Sequence, residues 1–506
     1  MCIRDSDRAS ARSAVAALGR AGAQARRRQA FEDDVALLRR ACELFELASA
    51  RDSERLGVLL PLAESLRASD KVHEARIRAT EALALAVAVG DPQHIARAAL
   101  CFVGSHLVFK AGRPDGEDIA TLEAAIAALG DRAPSERVRL LTRLCSAIYY
   151  SERFDEVGEL SELALRLASG DAVEDEALGW AHYARFWAAL RPEGVGEAAE
   201  AVEQVASIAA RVGTLELGTE SMLVEWYSLL QRGRPDLVAT QLAERRDAVH
   251  ATGVPIYRWF VEAIAAMLAV VQGRGEDAER AIAEVMASGA AIDAWDLPRF
   301  GAIPLVQLRR DQGRESELVD PLRHVVENNP GLPLWKSILL QALVGTGEIE
   351  EAQALLEVLA REDFSWLRRD VNWPWAMAAA SESCVALGCR PAAEILYGLI
   401  SPLPEQSVVA GPALGFHGPL DRYLGLLAGL LGRPEEAERH FTAALRLLDI
   451  GGVPALAAAT RLDRARALSL AGISRESRTC AGEALTAAEE MGLVRVRDGA
   501  RALLGA

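Results

Sequence analysis

Gly432-Arg433-Pro434-Glu435-Glu436-Ala437-Glu438-Arg439-His440-Phe441 carries the plan of the whole chain. A glycine suits the left-handed conformation that follows a helix end, because it has no Cβ to clash. Pro434 stands where the first turn of a new helix tolerates a missing N–H, and Glu435 and Glu436 complement the positive end of that helix's dipole. Behind them Ala437, Phe441, Ala444, Leu445 and Leu448 recur at helical spacing and form one apolar stripe. The segment therefore reads as a tight turn followed by an amphipathic helix.

The same phrase recurs as Gly273-Arg-Gly-Glu-Asp-Ala-Glu-Arg and Gly347-Glu-Ile-Glu-Glu-Ala-Gln-Ala, the latter with its own stripe of Ala352, Leu355, Leu356 and Leu359. Glycine-bearing turns fall at Gly233, Gly273, Gly313, Gly347, Gly388, Gly432 and Gly472, separated by 40, 40, 34, 41, 44 and 40 residues. A period in this range marks arrays of helical hairpins. The first half follows the same plan less regularly. There Asp70–Ala75, Arg153–Val157 and Gly194–Ala199 each open the second helix of a hairpin. Energetics argue for stacking. A hairpin of about 40 residues loses on the order of 40–80 kcal/mol of backbone entropy on ordering, while burying a Phe441 or Leu445 side chain returns only about 1.5–3 kcal/mol. Neighbours must therefore cover both faces of each hairpin. The predicted fold is all-α, a right-handed α-α superhelix of about a dozen tetratricopeptide-like hairpins. No sustained alternation of period two occurs, so no strand is predicted. Two stretches interrupt the rhythm: the Gly/Pro turn 110–116, and Pro402–Pro419, read as an ordered excursion between hairpins.

Composition narrows the function. Of 506 residues 51% are hydrophobic but only 5% aromatic, which suits closely packed Ala- and Leu-rich helices. The net charge of −16 repels nucleic-acid phosphates, and the densest basic run, Arg26-Arg27-Arg28, is short enough to be the solvated face of a helix. The seven cysteines are odd in number and scattered, which points to a reducing compartment rather than a disulfide framework. The amino terminus lacks an apolar signal core, and the longest uncharged apolar runs are about half the roughly twenty residues a spanning helix needs. A cytoplasmic protein is expected, with no nucleic acid or membrane as direct partner.

Four segments carry a resemblance. They are Pro255-Ile-Tyr-Arg-Trp-Phe260, Leu308-Arg-Arg-Asp-Gln-Gly-Arg314, Arg369-Asp-Val-Asn-Trp373, and Asp421–Arg433 running into Glu435–Phe441. In order and approximate spacing they resemble the tetratricopeptide-like region of large bacterial AAA/STAND-type signalling ATPases. In that family the repeats follow an ATPase module fused to nucleotide-cyclase, LuxR-type or SARP-type effector domains. The likeness is good over about residues 250–506 and extends to 30–250. No Gly-x-x-x-x-Gly-Lys-Ser/Thr phosphate loop is present, so ATP hydrolysis is not carried over to these residues. The chain is divided as 1–6, a non-native remnant; 7–250, N-terminal repeats; and 251–506, C-terminal repeats continuous with the first. It is read as the regulatory part of a longer protein.

Catalytic motifs are missing. The eight histidines stand singly, no Cys-x-x-Cys or Gly-x-Ser-x-Gly occurs, and neighbouring carboxylates sit at helix starts where the dipole accounts for them. No enzyme activity, cofactor or metal is expected. Because Trp and Arg are favoured anchors in interfaces, the candidate ligand or partner contacts are Trp366, Trp373 and Trp375, with Tyr257, Trp259 and Trp335, and His417 and Arg422 beside the long excursion; packing between hairpins is the competing role for each. The expected function is a non-catalytic sensor and protein-interaction solenoid. Its partner would be a protein or a small-molecule inducer, and the resemblance implies an ATPase module on the same chain. The alternative is a free-standing adaptor.

Overall fold

The computed structural model describes residues 2–106, 115–170, 173–292, 297–403 and 405–505, with side chains from residue 7 onward. Most of the 110–116 turn and Pro404 lie outside the described residues. The rest is an all-helical repeat superhelix of antiparallel hairpins. All seven punctuating glycines are left-handed, with φ of 71°, 75°, 67°, 82°, 67°, 76° and 76° in chain order. Second helices begin where the first-half sequence places them, at Val72, Glu156 and Val195.

The two helices of each hairpin differ in kind. First helices such as Leu215–Gln231, Pro255–Val271 and Trp373–Ala386 are buried nearly all round. Second helices bury a single stripe: in Pro434–Ile450 it is Ala437, Phe441, Ala444 and Leu448, with Leu445 half-buried at its margin. A helix apolar on every side must be covered on every side. The first helices accordingly pack against one another from hairpin to hairpin as an inner row, and the second helices form the outer row. One contiguous core runs from Ala11 to Ala457, and two small clusters complete the C-terminal end.

The expectation of no strands is corrected. Within Pro402–Pro419, Ser407–Ala410 (β1) pairs antiparallel with Gly415–Pro419 (β2), in the register Ser407↔Pro419, Val408↔Gly418, Val409↔Phe416 and Ala410↔Gly415. All nine strand residues are buried. Period-two alternation needs one wet face, and this hairpin has none, so its pattern is invisible in sequence. It is the ordered excursion expected there, and it runs inward, against Leu215–Gln231, Trp373–Ala386, Pro434–Ile450 and the helices Pro255–Val271 and Ile303–Asp311. The register skips His417, the extra residue of a bulge, which re-aims its side chain.

The superhelix also closes on itself. The Val371 N–H donates to the Tyr149 hydroxyl at 2.9 Å, and the Gln406 amide donates to the Pro192 carbonyl at 2.7 Å. Arg369 pairs with Glu193 at 2.7 Å, and the helix Ile303–Asp311 packs against the last helix, Val494–Gly505.

Candidate functional site

Successive first helices each send one polar side chain to a buried ladder in the second half. Glu382 receives Arg310 on Oε2, Arg422 on Oε1 at 2.8 Å, and the Gln341 amide at 2.6 Å. Arg422 continues to Asp463 at 2.8 Å. Burial opposes the Glu382 charge, but Arg310 and Arg422 outweigh it and hold the carboxyl far below the usual carboxylate range. Burial likewise opposes the Arg422 charge, and Asp463 and Glu382 more than restore it. Every member is satisfied by another, so the ladder presents closed pairs rather than free chemistry.

His417 lies against this ladder. Its ring stacks on Trp375 with centroids 5.2 Å apart and planes 14° apart, and Trp375 meets Trp335 edge-on at 5.7 Å. The His417 Nδ1 is 3.3 Å from the Gln307 amide oxygen. Burial first, and Arg310 second, push the imidazole down to about 3, so it is neutral. Trp335, Trp375, His417 and Arg422 are thus brought together in one packed region.

The other sequence candidates stand apart. Trp366 donates its indole N–H to the Leu359 carbonyl at 2.9 Å, and Trp373 lies beneath the Arg369 guanidinium at 4.3 Å. Both line a hollow of about 140 Å³. Trp259 donates to the Val285 carbonyl at 2.9 Å and borders a polar hollow of about 590 Å³. In that hollow Arg246 and His250 are already paired to Glu262. Tyr257 differs from the rest: it lines a groove on the inner face of the first half.

That groove, about 410 Å³, is walled by Glu64, Arg67, Arg97, Ser105, Arg139, Glu216 and Tyr257 among others. Its cations are committed. Arg97 grips Glu64 at 2.7 Å, Arg139 reaches Glu216 at 3.2 Å, and Arg67 donates to the carbonyls of Cys101 at 2.7 Å and Phe102 at 2.6 Å. The Arg67 contacts satisfy carbonyls at the end of the helix Pro92–Val103, which has no later N–H to serve them. Ser105 on the wall donates to Glu220 Oε1 at 2.7 Å. Glu220 is fully buried, and no hydrogen bond reaches its Oε2. Burial, then repulsion from Glu216, pushes its carboxyl up to about 8, against the Ser105 and Tyr183 hydroxyls and Arg143, which favour the charge.

One helical turn beyond Glu220, Leu223, Val224 and Tyr227 line a second, smaller cavity of about 50 Å³ with Tyr183, Phe186, Trp187 and Phe260, capped by Gly411 and Pro412 of the β-hairpin turn. Groove and cavity are continuous in sequence at three places. Ser105 lines one and His106 the other; Glu216 and Leu223 do the same on one helix, and Tyr257 and Phe260 on the next. Glu220 falls between Glu216 and Leu223 on that helix and lines neither space. Neither Glu216 nor Glu220 is among the sequence candidates. The available signal was phase: Glu220 falls on the buried stripe of Leu217, Val224 and Tyr227. Among the described residues no cluster of three or more His, Cys, Asp or Glu side chains could hold a metal ion, and no helix is long and apolar enough to cross a membrane.

Comparison with protein-family models and with curated proteins finds no match. Among solved structures, the crystal structure of yeast Tom70 is similar at 12% identity and a TM-score of 0.32, over 97% of this chain and 95% of that one. A circular tandem repeat protein with novel repeat topology is similar at 15% identity and a TM-score of 0.15, over 98% and 96%. Likenesses this loose carry no weight for function, and the fold stands on the helices themselves.

Proposed function

We propose that this chain is a non-catalytic binding solenoid: the sensor and interaction region of a bacterial signalling ATPase or transcriptional regulator. The observation that carries the reading is the contrast between the two halves of the inner face. In the second half the inner row is closed by the Arg310–Glu382–Arg422–Asp463 ladder and the buried β-hairpin. In the first half it is an open groove walled by charged and aromatic side chains, Glu64, Arg67, Arg97, Arg139, Glu216 and Tyr257 among them. Solenoids bind along such surfaces, and no catalytic constellation accompanies this one. The sequence resemblance over about residues 250–506 supports an ATPase module as the element regulated. For a ligand in the groove to act as a switch it must prefer one arrangement of the repeats over another, since equal affinity shifts nothing.

The test begins at the native locus. An in-frame phosphate-loop module upstream of residue 1 is expected, and deleting the repeats should change its rate of ATP hydrolysis. A gene without that module would favour the free-standing adaptor, for which the same groove serves as the docking surface. An ATPase whose rate ignores the repeats would sink the regulatory reading.

A further inference from the structure

We infer that copies of this chain stack head to tail, with the turn at Gly472 of one copy seating the helix end at Val89 of the next. The inference goes beyond the binding role proposed above and does not rest on it. Its template is a contact that the chain makes with itself. In an array of antiparallel hairpins, the turns within hairpins lie on one face of the coil and the connections between hairpins on the other. Where two windings meet, turns of the earlier winding carry helix ends of the later one. A Cβ added at Gly233 would come within 3.7 Å of Leu447 Cδ2, at Gly273 within 2.8 Å of Met491 Cγ, and at Gly313 within 3.1 Å of Val494 Cγ1. At Gly273 the missing side chain is what admits Met491.

Both halves of the Gly273–Met491 contact recur uncovered. Gly472 closes its turn with φ of 76° against 75° at Gly273, and a Cβ added there would meet nothing within 4 Å among the described residues. Val271, two residues before Gly273, is 2% exposed, whereas Leu470, two before Gly472, is 70% exposed, with Ile473 exposed beside it. Val89 holds the position of Met491. Each ends an 18-residue second helix, Val72–Val89 or Ser474–Met491, and each precedes a left-handed glycine, Gly90 or Gly492. Met491 is half-buried at its seat, but Val89 is 47% exposed, and Val87 on the same helix end is exposed too. Single exposed apolar side chains are ordinary on a protein surface. Here they stand at both halves of a contact whose complete form lies elsewhere in the same chain. The two surfaces differ, so the association is heterologous: a pair still presents one of each and can grow.

Sedimentation velocity of the full chain over a rising concentration series tests this. The weight-average mass is expected to climb past that of two chains. Leu470→Arg and Val89→Arg each place a charge at an exposed position, and each alone should hold the chain as a monomer. Mixing the two variants is the sharper test, since Leu470→Arg keeps an intact Val89 end and Val89→Arg an intact Gly472 turn. The mixture should form pairs and nothing larger. A parent chain that stays monomeric at every concentration, a dimer that survives either substitution, or a mixture that stays monomeric overturns the inference. Should either variant lose its helical circular dichroism, Ile473→Arg or Val87→Arg on the same surface takes its place. The regulatory reading is decided at the locus and is untouched by either result.

Discussion

Glu382 holds its charge in a place with almost no water, and two guanidinium groups make that tolerable. Removing one partner of a buried ion network typically costs about 3–5 kcal/mol, because the remaining charges lose their counter-ion. Glu382→Gln should therefore lower the stability to denaturant by that order, with Arg310 and Arg422 left facing each other. The sign with pH follows from the lowered carboxyl. Its contribution is complete above the unfolded carboxylate pKa of about 4.3 and is lost as pH falls below it. His417 acts in the same direction over a different window. Its folded imidazole is depressed to about 3, so the unfolded chain takes up the proton first and stability falls as pH drops below the ordinary histidine value of about 6.5. Glu220 has the opposite sense. Its folded pKa is raised to about 8, so stability is lost as pH rises from about 4.3 toward 8. Thermal melts of Glu220→Gln against the parent chain at acid, neutral and alkaline pH should diverge in the variant's favour as pH rises. Parallel curves would mean that Glu220 is ionised in the folded chain.

Among the elements, the glycine turns offer a controlled comparison. Gly472 and Gly273 share the left-handed conformation, at φ of 76° and 75°, so alanine at either costs about 1–2 kcal/mol in backbone strain. An added Cβ at Gly472 meets open space, but at Gly273 it comes within 2.8 Å of Met491 Cγ on another turn of the superhelix. Gly273→Ala should be the more destabilising in chemical denaturation, and Met491→Ala should recover the difference. These turns were legible in sequence because glycine's backbone freedom is a local property that each repeat spells out. The helix starts at Val72, Glu156 and Val195 were legible for the same reason. The β-hairpin was not, since strands buried on both faces lose their alternation. The groove was legible only at Tyr257. Which face of a hairpin turns inward depends on the curvature accumulated over many repeats, and no single repeat encodes it. The tryptophans stand out as anchors, yet Trp259, Trp335, Trp373 and Trp375 are buried between helices, and the groove uses Glu216 from an ordinary helix start.

Across the whole molecule, contacts between distant repeats set this chain apart from an open array. In a simple solenoid each hairpin touches only its neighbours, and a cut loosens only the hairpins beside it. Here Tyr149 bridges the Leu190 carbonyl and the Val371 amide, and Gln406 holds Pro192. A chain ending at residue 360 should therefore lose hydrogen-exchange protection in the helices Pro134–Ile148 and Asp175–Ala189, far from the cut. Unchanged protection there would mean that the contacts between turns carry no stability.

The self-contact of the superhelix has a mechanical consequence. An open helical-repeat coil stretches like a soft spring, because its hairpins tilt against one another without breaking anything. This coil is latched between windings at Tyr149, Pro192 and Glu193. Pulled by its ends, it should resist stiffly until those latches part and only then lengthen. A ligand lodged in the first-half groove would feel the rest of the chain as a rigid lever and not as a compliant arm.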